Sequence, residues 1–197
     1  MKTSKKVLAT LVVVGVAGSI IASAVFSAFS ATTSNPGNQF QAGTVSISDN
    51  DAGAAMYNIL AAAPGSTTSK CIKVTFDGTL PSAVKLYTAA GITGLPASSQ
   101  YIDLTITPGT QASPTFPNCT GFTPDAGGAV YTGTIQDWRT NHNAWSNGLA
   151  VNNPSASSTW NQNDAVVYKF DVSVQNVPAA QGADSGVHDF TWESQNL

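Results

Sequence analysis

Short stretches in which apolar and polar residues alternate recur along most of this chain, and a period of two is typical of β-strands. The clearest stretch runs from Val166 to Val174, where every second residue is apolar. Shorter alternating stretches predict further strands at residues 44–48, 71–77, 84–86, 102–107 and 189–193. Because glycine and proline separate these stretches, we predict an all-β fold, an antiparallel two-sheet, jelly-roll-like β-sandwich.

A different period follows Thr134, where apolar and aromatic residues recur every three or four positions, as on one face of a helix: Ile135, Trp138, His142 and Trp145. Thr134 can cap the helix N-terminus with Asp137 three residues later, and Gly148 can end the helix. We interpret this stripe as a face that packs its tryptophans onto a sheet. The alternative is a sugar-stacking platform formed by Trp138, Trp145 and Trp160.

The first 28 residues have the order of a signal peptide, which is a basic region, an apolar run and a stretch of small residues. Lys2, Lys5 and Lys6 come first, and no charged residue follows before Asp49. Cleavage is expected after Ala28, with Ala24 as the alternative. A retained membrane anchor is the competing interpretation. We predict a signal peptide at residues 1–28, an N-terminal segment at 29–39 and a single domain at 40–197.

Cleavage after Ala28 leaves 169 residues, enough for one sizeable core. Three of the eight Lys and Arg residues lie in the predicted signal peptide. The remaining 169 residues therefore contain five basic and eleven acidic residues, and their net charge is −6. This balance argues against nucleic-acid binding, which requires clustered Lys and Arg. A surface so poor in charge can also meet copies of itself without strong repulsion.

The only two cysteines, Cys71 and Cys119, are predicted to form a disulfide, because disulfides are favoured in exported proteins. Because side chains alternate between the two faces of a strand, Cys71 in the predicted strand at residues 71–77 lies on the face opposite Ile72, away from the main core. A covering loop that carries Cys119 can reach it there. This loop, residues 108–128, contains four prolines and is not expected to hold itself by strand pairing. Two buried free thiols are the alternative.

The sequence offers little for catalysis. Its two histidines, His142 and His188, lie in no zinc-binding pattern and beside no carboxylate pair at ligand spacing. We expect Asp49, Asn50 and Asp51 to form a turn, with a Ca²⁺ site as the alternative. The chain is therefore predicted not to be an enzyme, and no cofactor or metal is assigned.

The residues after the signal peptide resemble the mature start of the TasA/camelysin family, above all in the run Phe40-Gln41-Ala42-Gly43-Thr44-Val45. Further matching motifs occur in the same order along the chain: Ser48-Asp49-Asn50-Asp51, Pro64-Gly65-Ser66, Cys71-Ile72-Lys73-Val74, Val84-Lys85-Leu86-Tyr87 and Phe190-Thr191-Trp192-Glu193. The resemblance covers nearly the whole mature chain and is strongest to the Cys-containing branch associated with actinobacteria. It implies export by a SipW-type signal peptidase.

The same resemblance implies a secreted structural subunit that polymerises head to tail into extracellular fibres of a biofilm matrix, with accessory matrix proteins or polysaccharide as possible partners. Each subunit would donate its N-terminal segment as a strand to a neighbour. The donor residues would be Phe29, Ser30, Ala31, Thr32, Thr33, Ser34 and Asn35. Two other functions stay open, a secreted carbohydrate- or surface-binding domain and a camelysin-like metallopeptidase. Only the precursor, before its signal peptide is removed, would be associated with a membrane.

Overall fold

Two antiparallel sheets form the fold, and the predicted β-sandwich is confirmed. The computed structural model describes Gln39 and residues 41–197. The predicted signal peptide at 1–28, its cleavage site at Ala28 and the donor segment that begins at Phe29 lie outside the described residues.

The described strands are β1 Ile47–Asp49, β2 Thr67–Phe76, β3 Ser82–Tyr87, β4 Ile102–Thr110, β5 Thr123–Pro124, β6 Tyr131–Thr134, β7 Leu149–Val151, β8 Ala165–Val174 and β9 Thr191–Asn196. The larger sheet has the strand order β1-β2-β8-β4, and β5 and β6 both pair with the outer edge of β4. The smaller sheet has the order β7-β3-β9. Among the described residues there is one α-helix, α1 (Ile135–Asn141), which follows β6 directly.

The core lies between the sheets, where the alternating residues of β8 meet those of its neighbours. Tyr168 and Phe170 are fully buried, and the apolar layer continues into Ile72 of β2, opposite Tyr168, and into Ile106 of β4, opposite Phe170. Each large apolar side chain buried in this way contributes roughly 1.5–3 kcal/mol to folding. The period of two in the sequence therefore reports which residues face the opposite sheet.

Three strands were not predicted, and each is only two to four residues long. The expectation that residues 108–128 make no strand pairs is wrong at both ends of this segment. β4 continues through Pro108 to Thr110, and β5 pairs with it there. Gly109 permits this close approach, because a Cβ at that position would overlap the Phe122 ring.

The disulfide between Cys71 and Cys119 is confirmed, with the two Cα atoms 5.1 Å apart. Cys71 points away from the main core yet is buried, because the loop with Cys119 covers it. The backbone N–H of Cys71 also donates to the carbonyl of Pro117 at 3.1 Å, and Phe116 packs against the core. The loop is thus fixed by a covalent bond, a hydrogen bond and an apolar contact.

The predicted helix begins at Ile135, and Thr134 Oγ1 accepts the backbone N–H of Asp137 at 3.1 Å as expected. It ends at Asn141, earlier than the predicted stop at Gly148. Asn147 explains the difference, because its side-chain oxygen accepts the backbone N–H groups of Asn143 and Ala144 and forms a separate turn. Residues Trp145–Asn147 form a short 3₁₀ helix.

The tryptophans therefore have different environments. Trp138 and Trp160 are fully buried in the core, which confirms the packing interpretation for Trp138. Trp160 also donates its indole N–H to the carbonyl of Val151 at 3.0 Å. Trp145 is half-buried, with the Lys85 ammonium 5.0 Å from its ring centre. Because two of the three indoles are inaccessible, these tryptophans do not form a sugar-stacking platform.

We expect reduction of the disulfide to lower the free energy of unfolding by about 4 kcal/mol, because the bridge closes a loop of 48 residues in the unfolded chain. Urea denaturation with and without reductant measures this difference. The double variant Cys71→Ala/Cys119→Ala is the control and should not respond to reductant. An unchanged midpoint for the reduced native chain would contradict the expected stabilisation.

Trp138→Ala should lower the free energy of unfolding by about 3–5 kcal/mol, because it removes a fully buried aromatic ring. Trp145→Ala is the matched control and should cost much less, since Trp145 is only half-buried. Thermal or chemical denaturation of the two variants measures which of them loses more free energy of unfolding. Equal losses would contradict the difference in packing.

Candidate functional site

β9 is the longest strand at an edge of either sheet. It has six residues, whereas the other edge strands, β1, β5, β6 and β7, have two to four. Among the described residues, β9 pairs only with β3. Its outer side is therefore the most extended open edge in the described part of the chain.

The register identifies the backbone groups on this edge. The N–H of Leu197 donates to the carbonyl of Pro81, so every second residue of β9 hydrogen-bonds with β3. Since the two sides of an antiparallel strand alternate, the N–H and C=O groups of Trp192, Ser194 and Asn196 point to the open side. They form a ladder that an added strand can pair with.

A groove of about 250 Å³ lies beside this edge, between β9 of the smaller sheet and β1 of the larger one. It is lined by Ile47, Ser48, Asp49, Val74, Phe190, Thr191 and Trp192. Phe190 and Trp192 also pack on Phe170 of the core, with ring centres 4.5 and 6.0 Å apart. The indole N–H of Trp192 is buried and has no acceptor among the described residues. The groove therefore joins apolar lining side chains to an open backbone edge.

The larger sheet closes its edge on the same side of the sandwich. β1 covers only the last three residues of β2. Beyond it, the side-chain oxygen of Asn50 accepts the N–H of Lys73 at 2.8 Å, and Pro117 accepts the N–H of Cys71. Hence β1, the Asn50 turn and the disulfide-anchored loop cover the edge of β2 from Cys71 to Phe76, and only its first four residues have no neighbour on that side among the described residues.

β9 carries few of the features that keep edge strands apart. Proteins protect such edges with lysine, proline, bulges or inward-pointing charge. The sequence of β9 is TWESQN, with one charged residue, Glu193. The hydroxyl of Tyr87 donates to Glu193 at 2.6 Å, which lowers the pKa of Glu193 and raises the pKa of Tyr87 to about 12. The only charge of β9 is thus bound within its own sheet.

At one end of the groove, the loop between β1 and β2 is fastened to the loop before β9. Tyr57 contacts Phe190 edge-on and its hydroxyl lies 2.6 Å from His188 Nε2. His188 Nδ1 lies 2.9 Å from the carbonyl of Gly186, which can only accept, so Nδ1 carries the proton and Nε2 accepts from Tyr57. Burial lowers the pKa of His188, and the nearby Arg139 lowers it further. This contact therefore requires the neutral imidazole.

Asp49, Asn50 and Asp51 form the predicted turn. Asp49 accepts the backbone N–H of Asp51 at 3.1 Å, and Asp51 accepts that of Gly53 at 2.6 Å. In the part of the chain that the structure describes, there is no group of three or more histidines, cysteines or carboxylates that could hold a metal ion.

Within residues 41–197, no helix has the length and apolar character needed to span a membrane.

Comparison with protein-family models and with curated proteins found no match for this chain.

The sequence predicts the last strand and its apolar residues, but it does not show that this strand lies at an edge. Of the predicted site residues, Cys71 and Cys119 are brought together, whereas the residues from Phe29 to Asn35 lie outside the described part. The lack of lysine and proline in the last strand is the sequence signal that could have indicated an open edge.

We expect the Tyr57–His188 contact to make stability depend on pH. The pKa of His188 is below its ordinary value of 6.5 in the folded state, so its contribution is present above pH 6.5 and is lost as pH falls through the folded pKa. The free energy of unfolding should therefore decrease below pH 6.5 by more in the native chain than in His188→Gln. Parallel pH profiles of the two proteins would contradict this assignment.

Proposed function

We propose that this protein is a secreted structural subunit that polymerises by adding the N-terminal segment of one copy to the open edge of β9 in the next. The observation that carries the proposal is the six-residue edge of β9 beside a groove that both apolar and polar side chains line. The resemblance to the TasA/camelysin family points to the same function.

The acceptor side can supply both affinity and specificity. An extended peptide that adds to a sheet edge gains main-chain hydrogen bonds, while pockets beside the edge select its side chains. The open groups of Trp192, Ser194 and Asn196 provide the hydrogen bonds. The groove provides apolar contacts from Val74, Phe190 and Trp192 beside the polar side chains that complete its lining.

The donor side has suitable length and composition. Residues 29–38 have no charged side chain and contain one large apolar residue, Phe29. Ten extended residues span about 33 Å, whereas the six residues of β9 span about 20 Å. The segment is therefore long enough to cover the whole open edge, and Phe29 is its natural apolar anchor.

Such a contact produces a fibre rather than a closed dimer. The donated segment and the accepting edge are different surfaces, so the contact is heterologous, and a heterologous contact that does not close propagates. Export of the chain as a precursor, cut by a SipW-type signal peptidase, would keep the open edge of β9 from self-association inside the cell. Retention outside the cell would then come from polymerisation, with accessory matrix proteins or polysaccharide as further partners.

The sharpest test changes one backbone group of the acceptor edge. Ser194→Pro removes an N–H that points away from β3, so the pair between β3 and β9 keeps its hydrogen bonds while an added strand loses one and meets the proline ring. We expect the variant of residues 29–197 to fold with a similar melting temperature but to form no polymers in electron micrographs. Ser194→Ala keeps the N–H and should polymerise normally.

A synthetic peptide of residues 29–38 tests the same edge in solution. Below the concentration at which polymers form, the peptide should raise the melting temperature of the native chain and of Ser194→Ala, because it binds only the folded state. It should leave Ser194→Pro unchanged. Normal polymers of Ser194→Pro, or an equal peptide response in all three proteins, would overturn the proposal.

A further inference from the structure

Large apolar side chains that remain exposed in the described residues are concentrated at the two ends of the sandwich. At one end, Leu60, Ile92 and Val187 are 92%, 65% and 94% exposed, and we call these residues the loop patch. At the other end, Leu197 is 75% exposed, with Val45 and Leu80 more than a third exposed, and we call these three the base patch.

The loop patch lies on three loops that are bonded to one another. The buried guanidinium of Arg139 donates to the carbonyls of Gly91 and Thr93 in one loop and of Ser185 in another. The Tyr57–His188 contact adds the third loop, which carries Leu60. Gly186 has a φ of 64°, and a side chain there would overlap Gly94 and Pro96. The exposed apolar residues are therefore held in place.

The base patch is assembled from three separate segments. The carbonyl of Thr44 accepts the N–H groups of Thr79 and Leu80, which places Val45 beside the turn that follows β2. The N–H of Leu197 donates to Pro81 and brings the last residue to the same turn. This is also the end at which residues 42–44 join the sandwich.

The two patches lie at opposite ends of the same strands. β3 begins beside the base patch at Ser82 and ends near the loop patch at Tyr87, and β9 runs in the opposite direction between the same ends. A patch at each end of one subunit can therefore meet the other patch on the next subunit, and repetition of that contact continues in one direction.

Charge favours a second copy over an anionic surface. The three loops that carry the loop patch, residues 50–66, 88–101 and 175–190, contain no Lys or Arg. Anionic lipid headgroups and phosphates thus find no cationic partner there. The base patch of another copy offers an apolar surface in segments that also lack Lys and Arg, residues 42–46 and 77–81.

We propose that the loop patch of one subunit docks on the base patch of the next copy and forms a second contact along the fibre. This inference rests on the proposed function. The length of the chain links the two contacts, because the six residue-to-residue steps from Asn38 to Thr44 span about 20 Å when fully extended. A segment bound along β9 therefore keeps the base patch of its own subunit close to the neighbour that accepts it.

The test separates this contact from strand addition. In residues 29–197, Leu60→Ser/Val187→Ser removes two apolar side chains that make no core contact. The matched control is Val130→Ser, which changes an exposed apolar residue beside β6, on the side of the sandwich and away from both ends. Each protein is measured for its melting temperature with and without the peptide of residues 29–38, and for the lowest concentration at which polymers sediment.

We expect the double variant to keep its melting temperature and its response to the peptide, while its polymerisation threshold rises at least tenfold. Val130→Ser should match the native chain in all three measurements. A threshold within twofold of the native value would overturn the loop-patch contact and leave strand addition standing. Loss of the peptide response in the native chain would instead count against the proposed function.

A cross-linking experiment tests the same pairing directly, because both native cysteines are bridged and an added cysteine is the only free thiol. A copy with Val187→Cys is mixed with a copy with Leu197→Cys under mild oxidation. Cross-linked dimers of the two copies should form at least ten times faster than in a mixture of Val187→Cys with Val130→Cys. Equal rates in the two mixtures would overturn the contact.

Discussion

Every open β-sheet ends in strands whose outer N–H and C=O groups lack partners in the sheet, and the rest of this structure depends on how those edges are closed. The larger sheet closes one edge with a three-residue strand, the side chain of Asn50 and the carbonyl of Pro117. Its other edge is shared by two short strands. In the smaller sheet β7 is short, so β9 is the one extended edge that the described residues leave open.

The disulfide belongs to this same arrangement. Cys71 lies on the outer face of β2, where a bond to Cys119 gives the core no additional apolar contact. What the bond does is hold a proline-rich loop against the strand, and that loop supplies the carbonyl that caps the N–H of Cys71. The disulfide therefore does more than stabilise the fold, because the loop that it holds occupies part of the edge of β2 that an added strand would otherwise pair with. The contrast between the edge of β2, most of which is covered, and the open edge of β9 supports strand addition at β9.

Buried polar groups organise the end of the sandwich that carries the loops. Arg139 satisfies three backbone carbonyls from two loops, and Asp189 accepts the N–H groups of Ala89 and Ala90 as well as the hydroxyl of Thr88. Loops without regular hydrogen bonding would otherwise leave these groups unpaired, at a cost of about 1–3 kcal/mol for each buried one. The side chains of Arg139 and Asp189 thus supply the hydrogen bonds that strand pairing supplies elsewhere in the fold. They fix the loops that carry Ile92 and Val187, and the Tyr57–His188 contact fixes the loop that carries Leu60, as a docking surface between copies requires.

Sequence patterns alone predicted the class of fold, six of the nine described strands, the start of the helix and the cysteine pair. These follow from simple rules: a period of two reports the buried face of a strand, Thr134 caps a helix, and a predicted signal peptide with only two cysteines predicts that they pair. Only the tertiary structure decided where the helix ends, since the side chain of Asn147 makes a competing turn. It also decided that Pro108 and Gly109 continue β4, and that β9 lies at an edge. The physical reason is that strand neighbours and loop contacts join residues far apart in sequence, as with Lys73 and Asn50 or Arg139 and Ser185, and no local pattern of apolar residues records them.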